Sequence, residues 1–90
     1  MVSIIIPIYN VQDYINDCLY SVYTQTYSEI EVILVNDCTP DNSMLIAHSN
    51  IEKLKKRFNV KIIDHKSNKG LSAARNSGVK EATGEWVYFL

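Results

Sequence analysis

The sequence is short of residues that break or bend a chain, with three glycines and two prolines among 90 residues. That scarcity excludes a collagen-like repeat and a low-complexity, disordered tail. Cysteine is nearly as rare. Two thiols, Cys18 and Cys38, are too few for a disulfide framework and match no metal-ligand spacing, so both are expected to be reduced, as in a cytoplasmic protein. Neither sign of charge is in surplus, since nine Lys and Arg against ten Asp and Glu leave a net −1. A nucleic-acid binder would carry a basic surplus to neutralise phosphates, so no nucleic-acid partner is expected. No apolar run approaches the ~20 residues needed to cross a bilayer. The opening Met1-Val2-Ser3-Ile4-Ile5-Ile6-Pro7 lacks the basic start and small-residue cleavage site of a secretory signal. The expected location is the cytoplasm, or peripherally at the inner face of the membrane.

What is present is apolar residues, 47% of the chain, arranged in alternating periods. Val2 to Tyr9 is β-branched and mostly apolar, as a strand covered on both faces should be. From Val11 the period turns helical, with Val11, Tyr14, Ile15, Cys18, Leu19 and Val22 on one stripe. Asn10 is the expected N-cap, and Asp13 adds negative charge to the first turn. Glu31 to Asp37 is a second strand. Thr39-Pro40 then signals a second helix, a hydroxyl cap followed by proline where its missing N–H costs nothing. Met44, Ala47, Ile51, Leu54 and Phe58 form its apolar face, and Lys53, Lys55, Lys56 and Arg57 suit its negative end. Val60 to Asp64 is a third strand. A polar loop through Gly70 leads to a third helix, with Leu71, Ala74, Gly78, Val79 and Ala82 inward and Gly84 as its stop. Glu85 to Leu90 is a fourth, very apolar strand. The order βαβαβαβ predicts an α/β fold, Rossmann-like: a three-layer sandwich around a mostly parallel four-stranded sheet in the order 3-2-1-4.

Open parallel sheets bind ligands beyond the carboxyl ends of their strands, where strand order reverses. Pro7-Ile8-Tyr9-Asn10, Val35-Asn36-Asp37-Cys38-Thr39 and Asp64-His65 end the first three strands, and the third helix brings Arg75 and Asn76 to the same edge. This set suits a nucleotide better than a metal or a nucleophile. Tyr9 offers a flat face to a base, a contact worth roughly 1–3 kcal/mol in single-strand binders. Asp37 can accept from a ring N–H or a ribose hydroxyl. Arg75 supplies a fork of donors for a diphosphate. Each also has a plainer reading: Tyr9 as half-buried packing, Asp37 as a cap of the second helix, Arg75 as a surface ion pair. Cys18 lies on a buried stripe and reads as core. Cys38 has no neighbouring base in the sequence, and His48 and His65 have no spacing that makes an acid–base pair. The run Gly70 to Gly78 is not a dinucleotide fingerprint, whose glycines follow the first strand.

Five segments, in order and covering the whole chain, resemble family 2 glycosyltransferases of the GT-A fold. They are Val2-Ser3-Ile4-Ile5-Ile6-Pro7-Ile8-Tyr9-Asn10; Leu19-Tyr20-Ser21-Val22 with Gln25-Thr26-Tyr27; Val35-Asn36-Asp37-Cys38-Thr39-Pro40-Asp41; Asn68 to Gly78 with its Ala74-Arg75-Asn76; and Ala82 to Leu90 with Gly84, Trp86 and Phe89. The resemblance implies that residues 1–90 are the amino-terminal, nucleotide-sugar-binding part of such a domain. It implies that Tyr9 flanks the base and that Pro7 and Ile8 shape that wall. Asp37 would hydrogen-bond the base, Arg75 would approach the diphosphate or sugar, and Asn68 and Gly70 would form the adjoining loop. Asn10, Asn36 and Asn76 are further candidates at the same edge. Asn36 stands where the family has the first of two aspartates, and Cys38 where it has glycine. The resemblance also implies a divalent cation, Mg2+ or Mn2+, with ligands beyond Leu90, in the half that would hold the catalytic base and recognise the acceptor. No catalytic or metal-binding residue is expected among the 90, which alone should be inactive.

The full-length protein would then transfer a sugar, with inversion, from a nucleotide-diphosphate donor, UDP being favoured. The acceptor would be a glycan or lipid-linked sugar, in polysaccharide or other cell-surface glycan synthesis. The competing reading is a non-catalytic, receiver- or flavodoxin-like binding module. A receiver needs an acidic cluster after its first strand, where this chain has Tyr9-Asn10. The 90 residues are also expected to self-associate through exposed apolar surface.

Overall fold

Four strands and three helices alternate along residues 1–90, all of which the computed structural model describes: β1 (Val2–Ile8), α1 (Ile15–Tyr23), β2 (Ile30–Asn36), α2 (Ser43–Lys55), β3 (Asn59–Asp64), α3 (Leu71–Glu81) and β4 (Trp86–Phe89). The strands form one sheet in the order β3-β2-β1-β4, and every pairing is parallel. The expected architecture and strand order are both present.

Side chains alternate across a strand, so the central strands feed two cores. Ile4, Ile6, Ile8, Val32 and Leu34 pack against Ile15, Leu19 and Val22 of α1 and Ala47, Ile51 and Leu54 of α2. On the other face Ile5, Ile33 and Val35 meet Ala74 of α3. α3 comes close because its inner face is nearly bare. A Cβ on Gly78 would lie 2.4 Å from Cγ2 of Ile5. Its apolar stripe is narrower than the spacing predicts, since Leu71 and Val79 are exposed. No helix is long and apolar enough to cross a membrane.

The helix starts differ from expectation. Asn10 is no cap. It takes a left-handed φ of 54°, its amide donates to Thr39 Oγ1 at 2.8 Å, and α1 begins only at Ile15. α2 likewise starts at Ser43, beyond Thr39-Pro40. Its capping oxygen belongs to Asp41, whose Oδ1 accepts from the Ser43 amide at 3.0 Å and from the Ser43 and Thr39 hydroxyls at 2.6 Å each. The loops leading into α1 and α2 clamp each other: the Gln12 amide donates to Asp41 Oδ2 and the Asn42 amide to Gln12 Oε1. Burial would raise the Asp41 carboxyl, but the Ser43 and Thr39 hydroxyls and the Ser43 and Gln12 amides hold it at about 2.

Gly84 does not stop α3, which ends before Ala82. A Cβ there would meet the Met1 carbonyl and Ser3 Oγ, both at 2.7 Å, so Gly84 permits the turn into β4 to press on the start of β1. The same end of the sheet buries Glu31 completely. Its carboxylate accepts from Ser3 Oγ at 2.7 Å and from the Thr83 amide at 2.9 Å, and pairs with Lys61 Nζ at 2.7 Å. β4 closes the sheet with every residue exposed, Trp86 at 71%.

Candidate functional site

At the carboxyl ends of β1 and β2, on the α3 side, lies a cavity of about 390 Å3 lined by Pro7, Tyr9, Asp37, Asn68, Gly70 and Leu71. Val11 and Ala74 complete its wall. Tyr9, just past β1, is 42% exposed and so presents ring surface as well as packing. Pro7 and Tyr9 share one side of the chain, whereas Ile8 between them is fully buried in the core beneath α1 and α2. The expectation that Ile8 shapes the wall is therefore corrected: strand alternation turns it to the opposite face.

Asp37 lies at the inner end of the cavity and is nearly buried there. It is 2% exposed, and its carboxylate is already engaged. Oδ1 accepts from the Lys69 amide at 2.9 Å and pairs with His65 Nδ1 at 2.8 Å, and Oδ2 accepts from the Gly70 amide at 2.9 Å. Gly70 immediately precedes α3 with φ of 94°, a conformation open to glycine at little cost. Asp37 thus places negative charge at the positive end of α3, from a strand far away in sequence. It caps the third helix, where the plainer reading had it capping the second. Burial would raise its carboxyl, but the His65 hydrogen bond and the Lys69 and Gly70 amides outweigh that and hold it below the ordinary carboxylate range. Asp37 thus also has an internal task, which is to fix the loop.

Asn36 also works within the protein. Its Nδ2 donates to Asp64 Oδ1 and its Oδ1 accepts from the Thr39 amide, both at 3.0 Å. A carboxylate at 36 would face that of Asp64, so the amide relieves a like-charge contact. Between them the chain turns through Cys38 at φ 57°, a left-handed position that suits the glycine usual in the family.

Arg75 and Asn76 are exposed and do not line the cavity; the Arg75 guanidinium sits 5.4 Å from the centroid of the Phe89 ring. Asn10 is exposed, next to Tyr9, and only its backbone amide is engaged, with Thr39. The structure thus gathers Pro7, Tyr9, Asp37, Asn68 and Gly70 and leaves Ile8, Asn10, Asn36, Arg75 and Asn76 outside that cavity.

Sequence reasoning put His65 at the end of the third strand but gave it no role. β2 and β3 pair Asn36 with Asp64, which puts His65 one step on, beside Asp37. That register was the available signal, and periodicity alone does not supply it. No three His, Cys, Asp or Glu side chains gather in one place. A second cavity, about 380 Å3, lies under α1 and against Tyr88 and Leu90. It is mainly apolar and reaches the opposite ends of β1 and β2, at Val2 and Ile30.

Parallel strands, helices on both faces and a crevice at the carboxyl edge define an α/β protein of the Rossmann-like class. Within that class the chain belongs to glycosyl transferase family 2, whose family model matches residues 3–90, and the receiver-like alternative is set aside. It is 47% identical over 90 residues to the uncharacterized glycosyltransferase EpsJ of Bacillus subtilis, covering 100% of this chain and 25% of that protein. The structure of S. aureus TarS 1-349 in complex with UDP-GlcNAc superimposes with a TM-score of 0.87 at 34% identity, over 99% of this chain and 25% of that one. The mannosyltransferase PcManGT of Pyrobaculum calidifontis, in complex with GDP-Man and Mn2+, gives a TM-score of 0.87 at 26% identity, over 96% of this chain and 25% of that one. The chain therefore spans about a quarter of the length of the proteins it matches.

Proposed function

We propose that the full-length protein is a glycosyltransferase that moves a sugar from a nucleotide-diphosphate donor to a glycan or lipid-linked acceptor, in the synthesis of cell-surface polysaccharide on the cytoplasmic side of the membrane. Residues 1–90 form its donor-nucleotide part. The observation that carries this reading is the cavity at the carboxyl edge of the sheet, with the Tyr9 ring on one side and the loop of Asn68 and Gly70 on the other. Family membership supports the reaction class, and the UDP-GlcNAc complex of TarS supports UDP as the carrier.

In this reading Tyr9 stacks on or flanks the base, and Pro7 gives the wall its apolar floor. Asn68 and Gly70 border the ribose, in a loop held by Asp37. Arg75, on the first turns of α3, turns from Phe89 to the diphosphate or sugar, while Asn76 beside it and Asn10 and Asn36 support the edge. A divalent cation, Mg2+ or Mn2+, fits the family and the Mn2+ complex of PcManGT. Its ligands are not among these residues, so no step is assigned to it. Transfer proceeds by direct displacement with inversion, and the base and acceptor site lie beyond Leu90. By themselves the 90 residues bind and orient nucleotide and do not turn over.

Calorimetry of the full-length protein with UDP, GDP and CDP tests this. UDP should bind, and Tyr9→Ala should weaken it about tenfold or more, as loss of one stacked base predicts. A protein that binds none of the three nucleotides overturns the reading.

A further inference from the structure

Taking the cavity as the donor site, we propose that His65 is a positioning residue: clamped between Asp37 and Ser77, it fixes the loop that carries Asn68 and Gly70 to the nucleotide. Its side chain is 7% exposed. Both ring nitrogens are engaged, Nδ1 with Asp37 Oδ1 at 2.8 Å and Nε2 with Ser77 Oγ at 2.7 Å. Asp37 passes the constraint on to the Lys69 and Gly70 amides, each at 2.9 Å. A continuous line of hydrogen bonds therefore runs from the middle of α3, through the ends of β3 and β2, to the hinge where the loop enters α3.

The physical need for His65 follows from the carboxylate. Two backbone amides of one loop hold Asp37, one on each oxygen, so the carboxylate and that loop could shift together. The imidazole, at the end of β3, adds a third contact on Oδ1 that ties the pair to the sheet. The Asp37 contact selects the tautomer with the proton on Nδ1, so that Nε2 accepts from the Ser77 hydroxyl. If the ring gains a proton, the hydroxyl turns and accepts instead, so the line holds in either state. The order Asp, His, Ser is also that of a nucleophilic relay, but the setting opposes that chemistry. Ser77 lies inside α3, where neighbouring amides are paired within the helix and no donors remain for an oxyanion.

Three variants of the full-length protein test the proposal, with UDP calorimetry and hydrogen–deuterium exchange as readouts. His65→Leu keeps volume and removes both hydrogen bonds. It should weaken UDP binding about tenfold, as loss of a supporting contact at a binding loop can, and should speed exchange in the Lys66–Leu71 segment while the rest of the sheet stays protected. His65→Asn can return a donor to Asp37 and should restore most of the protection and affinity. Ser77→Ala should give a smaller loss, about twofold to threefold, from a less constrained ring. Faster exchange across the whole chain with unchanged UDP affinity would mark His65 as merely structural and overturn the proposal, as would unchanged exchange at the loop. Should His65→Leu fail to fold, Ser77→Ala against His65→Asn decides by the same segment. If the unmodified protein binds no UDP, the donor reading fails, and loop-confined exchange rescued by Asn still decides what His65 holds.

Discussion

Asn36, Asp37 and Cys38 are three consecutive residues with three separate tasks, and only part of this was legible in their sequence. The motif marked the end of β2 as a site. It did not show that Asp37 faces inward, because that depends on the register of β3 and on a loop more than 30 residues away. Chemical type was readable here, and direction was not. Glu31 makes the same point at the far end of the sheet. A carboxylate opening an apolar strand looks like a solvated flank, yet it is fully buried. Burial would raise its pKa, but the Lys61 ammonium, the Thr83 amide and the Ser3 and Thr83 hydroxyls bring it to about 2, from an ordinary 4.5. A group depressed by folding adds stability above its unfolded pKa, and that stability drains away as pH falls toward the folded value. The melting temperature should therefore drop between pH 4.5 and 2, with Asp37 and Asp41 adding to the loss. Glu31→Gln should be less stable at neutral pH by about 1–3 kcal/mol, the cost of weakening a buried hydrogen-bonded charge, and its melting temperature should fall less steeply over that acid window. Thermal unfolding as a function of pH checks both.

Among the elements, existence and order were readable and edges were not. The switch from strand to helix period located all seven elements, because burial on one stripe or on both faces leaves a pattern in the sequence. The starts of α1 and α2 moved inward because the loops before them satisfy each other: hydrogen bonds through Asp41 and Gln12 tie the two helix starts together. A cap search within one segment misses partners supplied by another. α3 differs for a steric reason. Its contact with the sheet depends on having almost nothing there, so an apolar stripe is the wrong signature and a pair of small residues, Ala74 and Gly78, the right one. Gly78→Ala follows from this. Intrinsic propensity favours alanine in a helix by about 1 kcal/mol, but the new methyl would fall 2.4 Å from a side chain of Ile5, itself fully buried. Overpacking of this kind costs about 1–3 kcal/mol, so net destabilisation is expected in urea unfolding. Because α3 carries Leu71 into the cavity wall, UDP affinity should fall with it.

At the scale of the molecule the two faces of the sheet are unequally covered, two helices against one, and β4 is exposed along its length. Trp86, Tyr88 and Leu90 leave apolar surface beside the second cavity, and an uncharged edge strand of this kind invites pairing. The 90 residues produced alone should self-associate as concentration rises. Trp86→Lys, at a side chain 71% exposed, should lower that association with little loss of fold. Sedimentation velocity separates these outcomes, and a wild-type chain monomeric at all concentrations would refute the expectation. The all-parallel pairing also bears on how the chain is made. Val2 pairs with Ile30 on one side and with Trp86 on the other, so no strand can find its neighbour through a short hairpin. During synthesis β1 leaves the ribosome first and receives its second neighbour last. Its isoleucines must wait through almost the whole translation of these residues, and of these four strands β1 is the one longest at risk of a wrong partner.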